Sequence, residues 1–457
     1  MHSETKSEPA SAGKSARPPE KAPKSEQERS EPLRQIGRWL RIIGPGTITG
    51  AADDDPSGIG TYSQAGAAFG TGQLWLALYM LPLMITVQEM CGRIGLVTGK
   101  GIAALVRQHY SRSLLFGAVA LVLIANTINV GADLGAMAAA TQLLVPGAPF
   151  LLVLVLFTFG ILALEVFVPY QRYSVILKVL TLSLLAYVVT GLLVKADWGA
   201  VLRATLVPQI QGSSAFLALV VGVLGTTISP YLFFWQASEE VEEQDQQKGA
   251  ARKPQGQKLR RAVRSLRLDT ISGMIASEVT AWFIIFTVGS TLHPHGITNI
   301  TSAAQAASAL TPLVKSSPFA GELARILFAL GIVGTGLLAV PVLAGSAAYA
   351  VAEAFGWHEG LAKKLTQARG FYGVIALATA VGFAINLLGI NPIAALVYTA
   401  IINGVVAVPL LVLILLVANN RRIMGEHANG KLSNTVGILT TMAMAGAAVA
   451  AIVLLFL

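Results

Sequence analysis

The chain has 457 residues, 54% of them hydrophobic and only 12% charged. A soluble domain carries about 25% charged residues, so the deficit excludes a soluble globular protein and fits a polytopic helical membrane protein. The net charge of +9 does not point to nucleic acid, because the basic residues fall between apolar spans, where membrane topology accounts for them. The single cysteine, Cys91, excludes an internal disulfide and a cysteine-based metal or iron–sulfur site.

Residues 1–35 are rich in Lys, Glu, Ser, Pro and Ala and hold hardly any large apolar side chain before Leu33. Such a segment cannot bury enough surface to fold and is expected to be a disordered cytoplasmic tail without a signal peptide. The remainder, 36–457, reads as one transmembrane domain of about eleven spans of about 20 apolar residues each. The first runs from about Ile36 to Phe69 and is interrupted. Gln73–Val97, Leu114–Leu144, Phe150–Val168 and Tyr173–Val194 follow. The sixth, Ala215 to about Val241, is interrupted again. Asp269–Leu292, Leu323–Ala352, Phe371–Leu388, Ile393–Val417 and Val436–Leu457 complete the series.

With the amino terminus in the cytoplasm, all but four of the 33 lysines and arginines lie on the inner side; the four are Lys195, Arg203, Lys315 and Arg325. That asymmetry supports both the count and its direction. The longest inner loop, about Glu239 to Arg267, turns from acidic to basic and reads as solvated, with basic anchors at the membrane surface.

The first break is Gly50-Ala-Ala-Asp53-Asp54-Asp55-Pro56-Ser57-Gly58. A charge at the bilayer centre costs about 2.5–3.5 kcal/mol on insertion scales, so three aspartates require a polar cavity or an interface. Pro56 and Gly58 predict an unwound backbone there, tolerated only where it is buried or lines a wet cavity. The sixth span carries Gly225-Thr226-Thr227-Ile228-Ser229-Pro230-Tyr231. Spans one and six are equivalent if spans one to five and six to ten form two repeats, 36–195 and 215–417, with 436–457 as an extra helix. Matching breaks in two halves mark a transporter's binding site. Free carbonyls, helix dipole ends and a carboxylate together make an oxygen-rich cation site.

These residues resemble the NRAMP family of divalent metal transporters. Asp55-Pro56-Ser57-Gly58 stands at the family's Asp-Pro-Gly-Asn motif, and Ser229-Pro230-Tyr231 at its Met-Pro-His motif; Asp133-Leu134-Gly135 extends the likeness. The resemblance implies an all-α, LeuT-type fold with two inverted five-helix repeats and discontinuous helices one and six. It implies a divalent ion as substrate, no cofactor and no enzymatic activity. By the same likeness Asp55 is the metal-ligating aspartate, and the Ala52 and Thr226 carbonyls are backbone ligands. The departures are Gly58 for the asparagine, Ser229 for the ligating methionine, Tyr231 and Gln236 for two histidines, and Ala136 for a third-span acid. A serine in place of a soft thioether leaves hard oxygens, and the lost asparagine widens the site, which suits Mg²⁺ with part of its water shell. The pattern resembles the divergent NRAMP-related magnesium transporters.

Other roles stay open from the residues alone. Asp53 and Asp54 either concentrate cations at the mouth of the site or cap the following half-helix. Ser229, Thr226 and Thr227 either ligate or bond back to their own helix. Asp133 is either a pathway or proton group or a hydrogen-bond hub. Asn126 and Asn129 read as interhelical glue, Glu89–Arg93 as an ion pair, and Glu165 as a partner of Arg172. Glu278 has no obvious partner, and Asn403 is a cavity candidate. The expected function is alternating-access transport of Mg²⁺, then Mn²⁺, in a cell membrane, with the bilayer and the ion as partners and a monomer plausible. Proton-coupled Mn²⁺ or Fe²⁺ uptake, a sodium-coupled organic solute symporter and a membrane aspartate hydrolase are the competing readings.

Overall fold

The computed structural model describes residues 45–168, 182–248, 256–314 and 319–456. The amino-terminal tail, the start of the first span, Arg172, the start of the fifth span and Lys315 lie outside them. Every regular element among the described residues is helical. In chain order they are α1 (Pro45–Asp53), α2 (Pro56–Phe69), α3 (Leu74–Thr98), α4 (Ile102–His109) and α5 (Arg112–Leu144). Then come α6 (Phe150–Phe167), α7 (Leu185–Leu193), α8 (Trp198–Leu206), α9 (Ser214–Thr227), α10 (Pro230–Lys248) and α11 (Gln257–Thr291). The series closes with α12 (Ala303–Ser308), α13 (Ala320–Phe355), α14 (Arg369–Ile385), α15 (Pro392–Asn419), α16 (Arg421–Met424) and α17 (Lys431–Phe456).

Helix ends follow local chemistry. The side chains of Ser111, Asp197, Ser213 and Asn391 each accept a backbone N–H at the start of the helix that follows, which satisfies donors that have no intrahelical partner. Helices α3 and α13 stop at Gly99 (φ 62°) and Gly356 (φ 73°), left-handed positions that favour glycine.

Nine of the described helical segments are long and apolar enough to cross a bilayer, with α9 and α10 counted as one. The first span is divided between α1 and α2, and only the end of the fifth, from Leu182, is described. Large apolar side chains on α6, α14 and α17, such as Phe159, Leu377 and Met442, are open to the surroundings; in lipid this outer surface carries no penalty.

The centre is built around the broken pair. Helix α11 packs along both α1 and α2, while α9 packs on α15 and α10 on α3 and α13. The α1–α11 contact is close because both faces are small: a side chain at Gly50 would collide with the backbone of Gly273, the packing that small residues allow in membranes.

The inner acidic stretch departs from expectation. Helix α10 continues past Val241 to Lys248, and Glu239, Glu240 and Glu242 are buried rather than solvated. Glu242 accepts hydrogen bonds from the N–H groups of Leu361 (3.0 Å) and Ala362 (2.6 Å) and from the Tyr349 hydroxyl. Those partners lie more than a hundred residues away, so no local pattern in 239–267 reveals them. Glu89 pairs with Arg93 (3.1 Å) as expected, and also with Arg267 (2.8 Å).

Candidate metal centre

Helix α1 ends at Asp53, and the chain turns through Asp54 to Asp55, whose extended backbone (φ −68°, ψ 170°) caps α2. One carboxylate oxygen of Asp55 accepts from the Gly58 N–H (2.6 Å) and the Ser57 hydroxyl (2.7 Å). Pro56 occupies the first helical position, where its missing N–H costs nothing and its φ is pre-set. The capping role left open between Asp53 and Asp54 therefore falls to Asp55. Its negative charge sits at the positive end of the α2 dipole.

The other oxygen of Asp55 accepts from the Asn129 side-chain amide at 3.0 Å. Asn129 also donates to Asp133 (3.2 Å), one turn along α5, and accepts from the Asn403 amide of α15 (3.0 Å). Thus Asp55, Asn129, Asp133 and Asn403 form one buried network. Asn129, read from sequence as interhelical glue, does join helices, and one of the groups it joins is the central carboxylate, 74 residues away, which no local signal marks. Asn126 also acts between helices, donating to the Leu343 carbonyl of α13. Asn403 is brought to the network, and one oxygen of Asp133 has no hydrogen-bond partner among the described residues.

At the second break α9 ends at Thr227 and α10 begins at Pro230. Ser229 Oγ donates to the carbonyls of Gly225 and Thr226, both at 2.7 Å, so in this conformation it bonds back to its own helix. The Thr226 hydroxyl lies 3.4 Å from that of Ser57, and the Thr227 hydroxyl 2.8 Å from that of Tyr62. The Tyr231 hydroxyl donates to the Ala52 carbonyl at 2.8 Å. Gly58 lies beside Thr226, where an added Cβ would come within 3.2 Å of its hydroxyl. Ser57 is a site residue that sequence reasoning passed over, although its place directly after Asp55-Pro56 was a signal.

Three expected residues sit apart from Asp55. Gln236 lies two turns into α10, accepting from Thr49 and donating to Glu240. Asp53 and Asp54 turn toward α11, where the Ser277 hydroxyl reaches both, at 2.6 and 3.3 Å. Glu278 is buried beside them, with both oxygens unpartnered among the described residues. Glu165 is likewise buried without a partner among those residues.

The centre is rich in carboxylates. Asp53, Asp54, Asp55, Asp133 and Glu278 are all buried. The ion pairs formed among the described residues, Glu89 with Arg93 and Arg267 and Glu426 with Arg260 and His427, do not reach them. Each oxygen around Asp55 is held by a protein donor: its carboxylate by Ser57, Gly58 and Asn129, the Ala52 carbonyl by Tyr231, the Thr226 carbonyl by Ser229. No three acidic, His or Cys side chains among the described residues converge as a ready-made ligand set. The arrangement is a closed nest of hard oxygens whose acceptors are exchangeable between protein donors and an ion's coordinated waters.

Two discontinuous helices meeting around a buried carboxylate, inside an all-helical membrane bundle, define a transporter of the broken-helix class. Within that class the chain belongs to the NRAMP family: the family model described as natural resistance-associated macrophage protein-like matches residues 46–454. It is 28% identical over 319 residues to the divalent metal cation transporter MntH of Deinococcus radiodurans, covering 68% of this chain and 69% of that one. It is 25% identical over 414 residues to the MntH of Aeromonas hydrophila, covering 89% and 94%. In fold it matches the Eremococcus coleocola manganese transporter with a TM-score of 0.71 at 17% identity, covering 91% of this chain and 86% of that one. It also matches MhsT in complex with L-phenylalanine, at 0.54 and 13%, covering 90% and 97%. The expected LeuT-type architecture is therefore present.

Proposed function

We propose that the protein is a secondary transporter that moves a divalent metal cation across a cell membrane by alternating access, with Mg²⁺ favoured and Mn²⁺ next. The observation that carries this reading is the Asp55 carboxylate at the junction of the two breaks, surrounded by Ala52, Ser57, Thr226, Ser229 and Tyr231, which offer oxygen and no sulfur or imidazole. Hard oxygens suit an ion that dehydrates reluctantly and binds with part of its water shell. The names of the curated relatives support the divalent cation; the oxygen-only set supports the preference for Mg²⁺.

In this reading residues 36–195 and 215–417 are two inverted repeats, and the bundle with α1, α2, α9 and α10 rocks against the rest. The amino terminus is cytoplasmic, placing the basic loops inside. The ion enters as a partly hydrated cation, and its waters take over the acceptors that Ser57, Asn129, Ser229 and Tyr231 hold in the closed nest. Asp55 supplies the charge; the two unwound segments supply carbonyl dipoles.

Proton-coupled Mn²⁺ or Fe²⁺ uptake is the second reading, favoured by one observation: Asp133 is joined to Asp55 through Asn129 and keeps one oxygen without a hydrogen-bond partner among the described residues. Uptake into liposomes by purified protein, with Mg²⁺ and Mn²⁺ offered separately and internal pH recorded, separates the two. Metal entry without acidification supports the first; entry with acidification supports the second; no metal entry under any gradient contradicts both.

A further inference from the structure

Three carboxylates lie near the first break that the Asp55 nest does not use. Asp53 and Asp54 point away from Asn129 and toward α11, where Ser277 Oγ donates to Asp53 at 2.6 Å and stands 3.3 Å from Asp54. Beside Ser277, Glu278 is 4% exposed and neither of its oxygens has a hydrogen-bond partner among the described residues. Glu278 directly follows Ser277 on α11, the helix that packs along α1. Asp53, fully buried, also keeps one oxygen without a donor among the described residues. An unpaired carboxylate in a low-dielectric interior is strongly unfavourable unless a cation compensates it or a proton neutralises it. None of the ion pairs formed among the described residues brings a basic side chain to the cluster.

We propose that Asp53, Asp54 and Glu278, oriented by Ser277, form a second divalent-cation station beside the Asp55 nest, with Glu278 the ligand contributed by α11. The inference rests on the reading of the chain as a divalent cation transporter and extends it to a second ion position. The three carboxylates do not converge to direct-ligand spacing. The station therefore takes the ion with waters between it and some of the oxygens, the habit of Mg²⁺. Each free oxygen on Glu278 and Asp53 then has a coordinated water as donor. Because Asp53, Asp54 and Asp55 are consecutive, an ion moves between station and nest without leaving the break.

The test is Mn²⁺ binding by purified full-length protein, read as the loss of the free-ion paramagnetic resonance signal, with Mg²⁺ as competitor. Wild type is expected to bind two Mn²⁺ per chain, both displaced by Mg²⁺. Glu278→Gln and, independently, Asp54→Asn are expected to retain one, and Asp55→Asn to retain the other. Thermal unfolding of each variant checks the fold, and Glu278→Gln, which neutralises an unpaired buried charge, is expected to unfold no lower than wild type. One Mn²⁺ per chain, lost in Asp55→Asn and unchanged in folded Glu278→Gln and Asp54→Asn, overturns the station and leaves the transport reading standing. No Mn²⁺ bound by wild type overturns both.

Discussion

The Tyr231 hydroxyl donates to the Ala52 carbonyl at 2.8 Å, joining the second residue after one helix break to the last turn before the other. Where the family resemblance implies a backbone ligand, this chain has a carbonyl already held by a phenol. The ion's first competitor is therefore an internal hydrogen bond. Tyr231→Phe removes that competitor and leaves a buried carbonyl unsatisfied, and both effects favour the ion-bound form. A neutral hydrogen bond is worth about 0.5–1.5 kcal/mol net, so divalent affinity is expected to rise roughly two- to tenfold. Titration calorimetry with Mn²⁺ checks this, and weaker binding would count against Ala52 as a ligand.

Ser229 satisfies the carbonyls of Gly225 and Thr226 rather than reaching Asp55. Ser229→Met frees both carbonyls and places a soft thioether beside the break. Affinity for Mn²⁺ and Cd²⁺ is expected to rise relative to Mg²⁺. An unchanged preference in competition binding would remove this position from the ligand set.

At the basic face the start of α1 is tied to α11. Asp269 accepts from the N–H groups of Gly46 (2.7 Å) and Thr47 (3.3 Å) and from the Thr47 hydroxyl. It does for α1 what a helix cap does, from another helix. Asp269→Ala is expected to cost about 1 kcal/mol, within the 0.5–2 kcal/mol range for lost caps. Faster amide exchange should appear over residues 45–53, because Asp269 holds the amino end of α1. Unchanged exchange there would mean that Asp269 does not stabilise the start of α1.

Gly50 packs where a side chain would meet the Gly273 backbone. Gly50→Val is expected to separate α1 from α11 and lower the unfolding temperature by several degrees, since overpacking costs about 1–3 kcal/mol. A thermal scan matching wild type would show that the two helices are not in close contact.

Much of this was legible in the sequence, for physical reasons. Three aspartates beside a proline in an apolar span have few explanations in a bilayer, and Asp55 stands at the break as expected. The span pattern was readable because each apolar run is itself long enough to cross. What could not be read are partners distant in the chain. Asn129 looked like any polar residue in a membrane helix, and only the fold brings it to Asp55. Gln236 sat on the expected helix, yet the helical turn aims it at Thr49 and Glu240. The run from Glu239 to Glu242 looked solvated because its satisfying groups, Leu361, Ala362 and Tyr349, belong to α13 and the segment that follows it.

Asn is as good a helix cap as Asp, so Asp55→Asn keeps the start of α2 while deleting the charge that the nest offers. Uptake of Mg²⁺ and Mn²⁺ into liposomes, wild type and Asp55→Asn side by side, therefore separates folding from ion recognition. Wild-type entry of either metal, with none through the well-folded variant, is the predicted outcome. Equal uptake by both proteins would contradict the assignment of Asp55 as the charge that holds the ion.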